Sequence, residues 1–305
     1  MSMVQLLESA SVDGSPGHRS LGRLVPYKID FLTTPRILAP ATLDRPNCPI
    51  RFWTAGPVGG TDIVLIHGAT ADHRMFNAQL PALIDAGHHA VVYDSRGHGM
   101  SRPMTQTPSI DDYVDDLLAL TDHLRLDRPV LLGQSLGSYV AQHAVIRRPD
   151  DFRALVVIGG IAVSHPVSRH DLIVLRSAPA IVRLLPWPRF VRISARAAAV
   201  TPQAQAYMLD CLSTLDRGQF ARIWNGVSTA VRIEGFPSLP DISTLWTYGD
   251  HDDRGKIASD ARRLAGRQLP RVRIAVIADA GHNANQDNPA AFNAMLLSFL
   301  ATLPV

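Results

Sequence analysis

The stretch Gly133–Gly137, which reads GQSLG, has the residue types and spacing that a serine nucleophile requires. The apolar run 129–132 precedes it and a helical pattern follows at 139–148, so Ser135 lies at a sharp turn between strand and helix. The flanking glycines leave room where a Cβ would crowd the backbone. The N–H of Leu136 is expected to face the oxyanion that forms when the hydroxyl attacks a carbonyl. The same five residues also fit an ordinary Gly-rich turn with a solvated serine. The choice between these two interpretations depends on the residues in the rest of the chain.

Two later strand ends carry residues that could activate this serine. A serine hydroxyl is a weak nucleophile that needs a base, and the base needs an orienting carboxylate. One expected strand ends in the acidic cluster 250–253, and the last one ends just before His282. We predict that Asp252 is the orienting acid and that His282 is the base. Asp250 could instead hold the turn at its strand end, and Asp253 could cap the next helix.

The loop after the apolar run 62–66 is the expected source of a second oxyanion donor, the backbone N–H of Ala69. His67 is expected to brace this loop by hydrogen bonds and not to act as a base. The Gly-rich stretch 94–101 lacks the ending of a phosphate-binding P-loop, so we expect it to pack beside the site. No second cluster with ligand spacing accompanies the acidic one, and the sequence therefore predicts neither a metal nor a cofactor.

Short apolar runs alternate with helical patterns around these residues. Strands separated by single helices predict an α/β fold with a doubly wound, mostly parallel sheet. A first strand is expected at 27–32, followed by a proline-rich loop, and Ser109 is the expected N-cap of one helix. The other expected strands lie at 50–53, 62–66, 89–93, 129–132, 154–158, 242–248 and 272–277, and the helices at 75–86, 110–124, 139–148, 256–265 and 289–303.

Residues 162–240 interrupt this alternation with a helical, proline-punctuated segment. Because the segment falls between two late strands, we interpret it as a cap over the carboxyl ends of the strands, where open α/β sheets bind ligands. A further helical layer is the alternative. The candidate helices of the segment 162–240 lie at 171–177, 181–185 and 203–215. The predicted organisation is an N-terminal extension with the first strand at 1–49, a core at 50–161 and 241–305, and the cap at 162–240.

The cap is apolar enough to predict a small hydrophobic acyl substrate. Candidate pocket residues are Leu175, Leu184 and Trp187, although such residues also pack a cap onto its sheet. Four arginines of the cap could pair with a substrate carboxylate or touch a membrane surface, but a solvated face is the favoured interpretation. They are Arg183, Arg189, Arg192 and Arg196.

Composition excludes several other classes of protein. The 305 residues are 46% hydrophobic and 19% charged, which is typical of a globular chain, and a net charge of +3 gives little reason to expect a nucleic-acid partner. Cys48 and Cys211 are expected to be free thiols, with one disulfide between them as the alternative. No secretory signal is evident at 1–20 and no apolar run is long enough to span a membrane, so we expect a cytoplasmic protein. A homo-oligomer is left open.

Five motifs together resemble the successive signatures of the α/β-hydrolase family, in the family's order across residues 50–305. They are Ile66-His67-Gly68, Tyr93–Ser101, Gly133–Gly137, Gly249–Asp252 and Ala280-Gly281-His282. The resemblance implies Ser135 as nucleophile, Asp252 as acid, His282 as base and a helical cap. It excludes the branches whose nucleophile is an aspartate. The N-terminal extension of roughly 45 residues is longer than the family usually shows.

The expected function is hydrolysis of a hydrophobic carboxylic ester, thioester or lactone through an acyl-enzyme. One alternative keeps the same three side chains but uses them for C–C bond hydrolysis, hydroxynitrile cleavage or cofactor-free oxygenation. A second alternative is a ligand receptor or scaffold with an inactive site. Fold alone does not decide among them.

Overall fold

One sheet organises the part of the chain that this computed structural model describes, residues 29–35, 39–252 and 256–304. Its strands are β1 (Ala39–Leu43), β2 (Ile50–Ala55), β3 (Asp62–Ile66), β4 (His89–Tyr93), β5 (Val130–Gln134), β6 (Ala154–Ile158), β7 (Ser243–Gly249) and β8 (Val272–Ile277). They lie in the order β1-β2-β4-β3-β5-β6-β7-β8, and β2 pairs antiparallel with both β1 and β4. The remaining pairs are parallel, which confirms the predicted mostly parallel α/β sheet.

Helices cover both faces of this sheet. They are α1 (Leu80–Asp85), α2 (Ile110–Leu124), α3 (Leu136–Arg147), α4 (Arg169–Arg183), α5 (Trp187–Ala198), α6 (Pro202–Ser213), α7 (Arg217–Thr229), α8 (Lys256–Gly266), α9 (Ala284–Asp287) and α10 (Pro289–Leu300). Successive side chains of a strand enter different apolar clusters, as Leu131 and Leu132 of β5 do. Because both faces are covered, the strands are continuous apolar runs without polar alternation. Ser109 precedes α2, as predicted, and its N–H donates to Asp112 at 2.8 Å.

Four helices, α4–α7, are inserted between the late strands β6 and β7, in the segment that the sequence analysis interprets as a cap. The predicted pieces 171–177 and 181–185 are one helix, α4, which runs through Pro179. Pro179 has no N–H for the carbonyl of Leu175, and the indole Nε1 of Trp224 donates to that carbonyl instead, at 2.8 Å. A donor from α7 therefore makes the proline tolerable inside the helix.

The first strand is not where the sequence predicted it. Residues 27 and 28 lie outside the described residues, and 29–33 form an irregular turn. The strand is β1, within the stretch predicted to be a loop because of its prolines. Pro40 is compatible with β1 because β1 is the edge strand and pairs only with β2.

The predicted helix at 75–86 is also interrupted. The structure has a 3₁₀ turn at His73–Phe76 and then α1, with Pro81 in the first turn of α1. Pro81 cannot donate to the carbonyl of Asn77, so a continuous helix would lack that hydrogen bond. The Asn77 amide donates to the carbonyls of Asp30 and Thr33. Within the described ranges, no helix is both long and apolar enough to cross a membrane.

Candidate active site

Ser135 occupies a strained turn between β5 and α3. Its φ of 50° and ψ of −114° are unusual for a residue with a side chain, and such strain is found where a side chain must be presented for chemistry. A Cβ on Gly133 would lie 2.3 Å from the carbonyl oxygen of Gly137, and one on Gly137 would lie 2.0 Å from that of Ile66. The backbone at this turn is therefore packed so closely that only glycine fits at both positions.

Asp252 and His282 are brought together from two neighbouring strand ends. Asp252 Oδ2 lies 2.9 Å from His282 Nδ1, and both side chains are largely buried. When the carboxylate is ionised, this contact places the ring proton on Nδ1 and leaves Nε2 as the basic nitrogen. Ser135, Asp252 and His282 all line one cavity. Gly159, with a φ of 58°, leaves space for the ring, because a Cβ there would approach His282 Nδ1 to 3.1 Å.

Asp250 has a different role from Asp252. It accepts the backbone N–H groups of Asp279 and Ala280, each at 3.0 Å, and so holds the loop that leads to His282. Slight burial raises the pKa of Asp250, but these two N–H groups and the neighbouring His251 lower it, and the net shift is downward. The interpretation of Asp250 as a turn-holding residue is confirmed. Asp253 lies outside the described residues.

The two predicted oxyanion donors lie beside the serine. Leu136 begins α3, and Ala69 lines the same cavity from the loop after β3. Neither backbone N–H has an acceptor among the residues that the structure describes. A Cβ on Gly68 would lie 2.0 Å from Gln134 Oε1 and 3.3 Å from Ser135 Cβ, so the loop is in close contact with the turn. Both N–H groups are thus available to a ligand oxygen.

His67 braces the Ala69 loop, as predicted. The N–H of Ser95 donates to His67 Nε2 at 2.9 Å, which makes Nε2 an acceptor and puts the ring proton on Nδ1. Nδ1 lies 2.8 Å from the carbonyl oxygen of Gly68. Burial lowers the pKa of His67, although the charge of Asp94 opposes this. The buried, neutral ring therefore links the 94–101 loop to the Ala69 loop, and the position of the 94–101 loop beside the site stays a prediction.

Sequence reasoning missed a carboxylate that joins the cap to the His282 loop. Asp287 accepts the N–H of Gly281 at 2.9 Å, and it also accepts the N–H groups of Val200 and Thr201, at 3.0 and 2.8 Å. The Thr201 hydroxyl donates to it at 2.8 Å. Asp287 lies only five residues after His282 in the sequence, but nothing in the local pattern indicates its partners in the cap.

Gln134 and Asn283 make a second connection of the same kind, also missed. The Gln134 amide donates to the carbonyl of His282 at 3.1 Å and lies 3.3 Å from Asn283 Oδ1. The backbone N–H of Asn283 donates to the carbonyl of Ala198, at the end of α5, at 2.8 Å. The loop that carries His282 is therefore fixed from the sheet on one side and from the cap on the other.

The cavity has a volume of about 230 Å³ and is mostly apolar. Its cap residues are Val167, Leu172, Val174, Leu175, Ala178, Phe190, Ser194, Ala198, Met208, Leu212, Phe220, Trp224, Val227 and Val231, joined by His170 and Asp171. Leu175 is among them, as predicted. Trp187 is not, but its ring packs 5.3 Å from that of Phe190, which is.

The prediction that Leu184 is a pocket residue is wrong. Leu184 is 83% exposed and lies outside the cavity lining. Leu184 lies directly after the last residue of α4 and follows Leu175 by nine residues. Nine residues are about two and a half helical turns, which places the two leucines on opposite faces. The division of α4 into two predicted helices concealed this relation.

Two groups of side chains in the described residues have the composition of a metal site. In the buried group, Asp72 is bound by Arg74, and Asp94 accepts from the backbone and ring of His73. The exposed group includes Asp250, whose carboxylate already holds a turn. Protein donors therefore already bind the carboxylates of Asp72, Asp94 and Asp250, and we assign no metal to either group.

The sequence matches the alpha/beta hydrolase family over residues 63–295. It is similar to the dihydrolipoyllysine-residue acetyltransferase component of the acetoin cleaving system of Pseudomonas putida, with 27% identity over 82% of this chain and 66% of that protein. An sn-1-specific diacylglycerol lipase of Mus musculus is 26% identical over 78% of this chain and 80% of its own. A solved structure of a thermophilic esterase from Thermogutta terrifontis matches with a TM-score of 0.70 at 22% identity, over 87% of this chain and 98% of that one.

The matched part covers between 38% and 66% of the length of the first four curated relatives. The family match itself extends over most of this chain, from β3 into α10, and includes the turn at Ser135 and the loops of Asp252 and His282. The chain therefore belongs to the alpha/beta hydrolase family.

Proposed function

We propose that the protein is a serine hydrolase that cleaves a hydrophobic carboxylic ester, thioester or lactone through an acyl-enzyme. The observation that carries the proposal is the 2.9 Å contact between Asp252 Oδ2 and His282 Nδ1, at a cavity that Ser135 also lines. A carboxylate, an imidazole and a hydroxyl that reach one cavity from three strand ends can act as acid, base and nucleophile.

In the proposed mechanism, His282 Nε2 accepts the hydroxyl proton of Ser135 while the oxygen attacks the substrate carbonyl carbon. The carbonyl oxygen becomes an oxyanion and accepts hydrogen bonds from the N–H groups of Ala69 and Leu136. When the intermediate collapses, His282 gives the proton to the leaving alcohol, thiol or lactone oxygen. A water molecule then repeats the sequence on the acyl-enzyme and releases the acid. Asp252 stabilises the imidazolium and fixes its orientation throughout.

The cavity supports a hydrophobic acyl substrate. Its walls are mainly aliphatic and aromatic, and such walls bind apolar groups by removing their surface from water. Among the similar proteins, one is named as a diacylglycerol lipase and one as an esterase, and both act on carboxylic esters by those names.

Labelling with a fluorophosphonate probe, combined with turnover of p-nitrophenyl butanoate, tests the proposal. Wild-type protein should be labelled at Ser135 and should release nitrophenol, and Ser135→Ala should lose both, with turnover lower by at least about 10³-fold. Ser213→Ala is the matched control, because Ser213 is an exposed cap serine whose hydroxyl donates to the carbonyl of Leu209. A folded wild-type protein without label, or Ser135→Ala with label, would reject the proposal. Cleavage of a diketone C–C bond without ester turnover would replace it by the C–C hydrolase alternative.

A further inference from the structure

The inner face of α5 presents one hydroxyl to the cavity in an otherwise apolar row. Phe190, Ser194 and Ala198 follow one another at four-residue spacing and all line the cavity. The hydroxyl oxygen of Ser194 is buried, and it has no hydrogen-bond partner within the described part of the chain. An unpartnered buried hydroxyl is costly, because it loses water without gaining a protein partner.

Other serines in cap helices avoid this cost. A serine inside a helix usually returns its hydroxyl to a carbonyl one turn earlier. Ser177 of α4 donates to the carbonyl of Ile173 in this way, and Ser213 of α6 donates to that of Leu209. Ser194 is in the same kind of position and makes no such bond. Its hydroxyl is therefore free for a group that enters the cavity.

Three other uncharged polar side chains that line the cavity have protein partners. The Thr70 hydroxyl donates to the carbonyl of Ala69 at 2.6 Å. Gln134 donates to the carbonyl of His282, and Asn283 donates to Gln286 at 2.9 Å. Ser194 differs from these three because its hydrogen-bonding capacity remains for the substrate.

The fold fixes where along the substrate Ser194 acts. The carbonyl of Ala198 accepts the N–H of Asn283, the neighbour of His282, so this end of α5 touches the loop that carries the proposed base. Ser194 lies four residues away, a rise of about 6 Å, and Phe190 lies a further four residues along the same face. An acyl chain bound along this face would bring an atom a few bonds from the scissile carbonyl next to the Ser194 hydroxyl.

We propose that Ser194 is a specificity-determining residue that donates a hydrogen bond to an oxygen in the acyl chain, a few bonds from the scissile carbonyl. The preferred substrate class is then an ester, thioester or lactone whose acyl part is apolar except for one ether, keto or hydroxyl oxygen. This inference rests on the proposed function, and it names the acyl group for which the cavity is built.

The experiment compares two pairs of esters that differ by a single oxygen. They are p-nitrophenyl pentanoate with 3-methoxypropanoate, and p-nitrophenyl hexanoate with 4-methoxybutanoate. Ser194→Ala should lower kcat/KM about 10-fold for a methoxy ester, since one satisfied buried hydrogen bond is lost, and should leave the matched alkyl ester within about twofold. Ser194→Thr, which keeps the hydroxyl, should retain the preference for the ether oxygen. Ser177→Ala is the control and should change neither ester.

An equal change on both members of each pair would overturn the inference and leave the proposed function intact. If wild-type protein cleaves none of the four esters while Ser135 also fails to react with the fluorophosphonate probe, both proposals fall together. Thermal unfolding gives a second, independent readout. Since the hydroxyl has no partner in the free protein, Ser194→Ala should keep or raise the Tm, and a clear fall in Tm would contradict the unpartnered hydroxyl.

Discussion

The core and the cap differ in how their charged groups are partnered. In the core, Arg96 makes two contacts of 2.6 Å with Asp116, and both side chains are almost fully buried. The cap, residues 162–240, has nine arginines and no lysine against three aspartates and one glutamate, a net charge of +5 in a chain whose total is +3. Six exposed arginines of α4 and α5 have no carboxylate partner among the described residues, and they are Arg169, Arg176, Arg183, Arg189, Arg192 and Arg196.

This difference separates the part of the molecule that fixes geometry from the part that selects a ligand. Arg96 and Asp116 of the core are paired and desolvated, so they hold the 94–101 loop against α2 in a single position. The exposed arginines of α4 and α5 lie in water, where they contribute little to stability, and the cap presents an apolar inner wall with one unpartnered hydroxyl. Changes in the core should therefore affect turnover or folding strongly, and changes in the cap should mainly affect which substrate is preferred.

The largest expected effect distinguishes the two carboxylates at the end of β7. Asp252→Asn keeps the shape but removes the charge that orients the proposed base, so kcat should fall by about 10³–10⁴-fold. Asp250→Asn should keep kcat within about tenfold and cost about 1 kcal/mol of unfolding free energy, because only turn-holding hydrogen bonds weaken. Ester kinetics and urea unfolding measure both quantities. The reverse ranking would assign the acid to Asp250.

A matched pair of arginines tests the contrast in charge directly. Arg96→Gln leaves Asp116 buried with less of its compensating charge and should lower the free energy of unfolding by about 3–5 kcal/mol. Arg45 also contacts Asp116, at 2.9 Å. Because Arg45 still compensates part of the Asp116 charge in Arg96→Gln, the decrease in unfolding free energy should lie at the lower end of that range. Arg192→Gln, on the exposed face of α5, should change the free energy of unfolding by less than about 0.5 kcal/mol. Comparable losses in the two variants would show that the cap arginines are paired in solution.

Asp287 connects the cap to the loop that carries His282, and replacing it tests this contact between core and cap. Asp287→Ala removes the acceptor for three backbone N–H groups and one hydroxyl, and it should cost about 3 kcal/mol of unfolding free energy. It should also lower kcat about tenfold, because the His282 loop loses a support. Asp216→Ala is the control: Asp216 caps α7, so it should lose about 1 kcal/mol and keep kcat. An unchanged kcat in Asp287→Ala would mean that Asp287 stabilises the cap without positioning the loop.

Local sequence patterns were sufficient for seven strands of the sheet, β2–β8, and for the candidate residues at its edge. Buried strands are short apolar runs, and the residues at 135, 252 and 282 follow such runs, so their approach to one edge could be predicted. The assignment of catalytic roles to them stays a prediction. The features that were missed depend on distant partners. Pro40 is acceptable only because β1 is an edge strand, and Pro179 only because Trp224 supplies a donor from α7.

The smallest expected effect concerns the two faces of α4. Leu175 lines the cavity and Leu184 is exposed, although both are leucines of one cap element. Leu175→Gln puts a polar amide into the apolar wall and should lower kcat/KM for p-nitrophenyl octanoate about tenfold, with less effect on the acetate, which does not reach the wall. Leu184→Gln should leave both esters within about twofold. The ratio of octanoate to acetate turnover is the measurement, because a general loss of folding would lower both esters equally. Equal ratios in the two variants would mean that the acyl chain does not lie along α4, and would place it against the α6 and α7 side of the cavity instead.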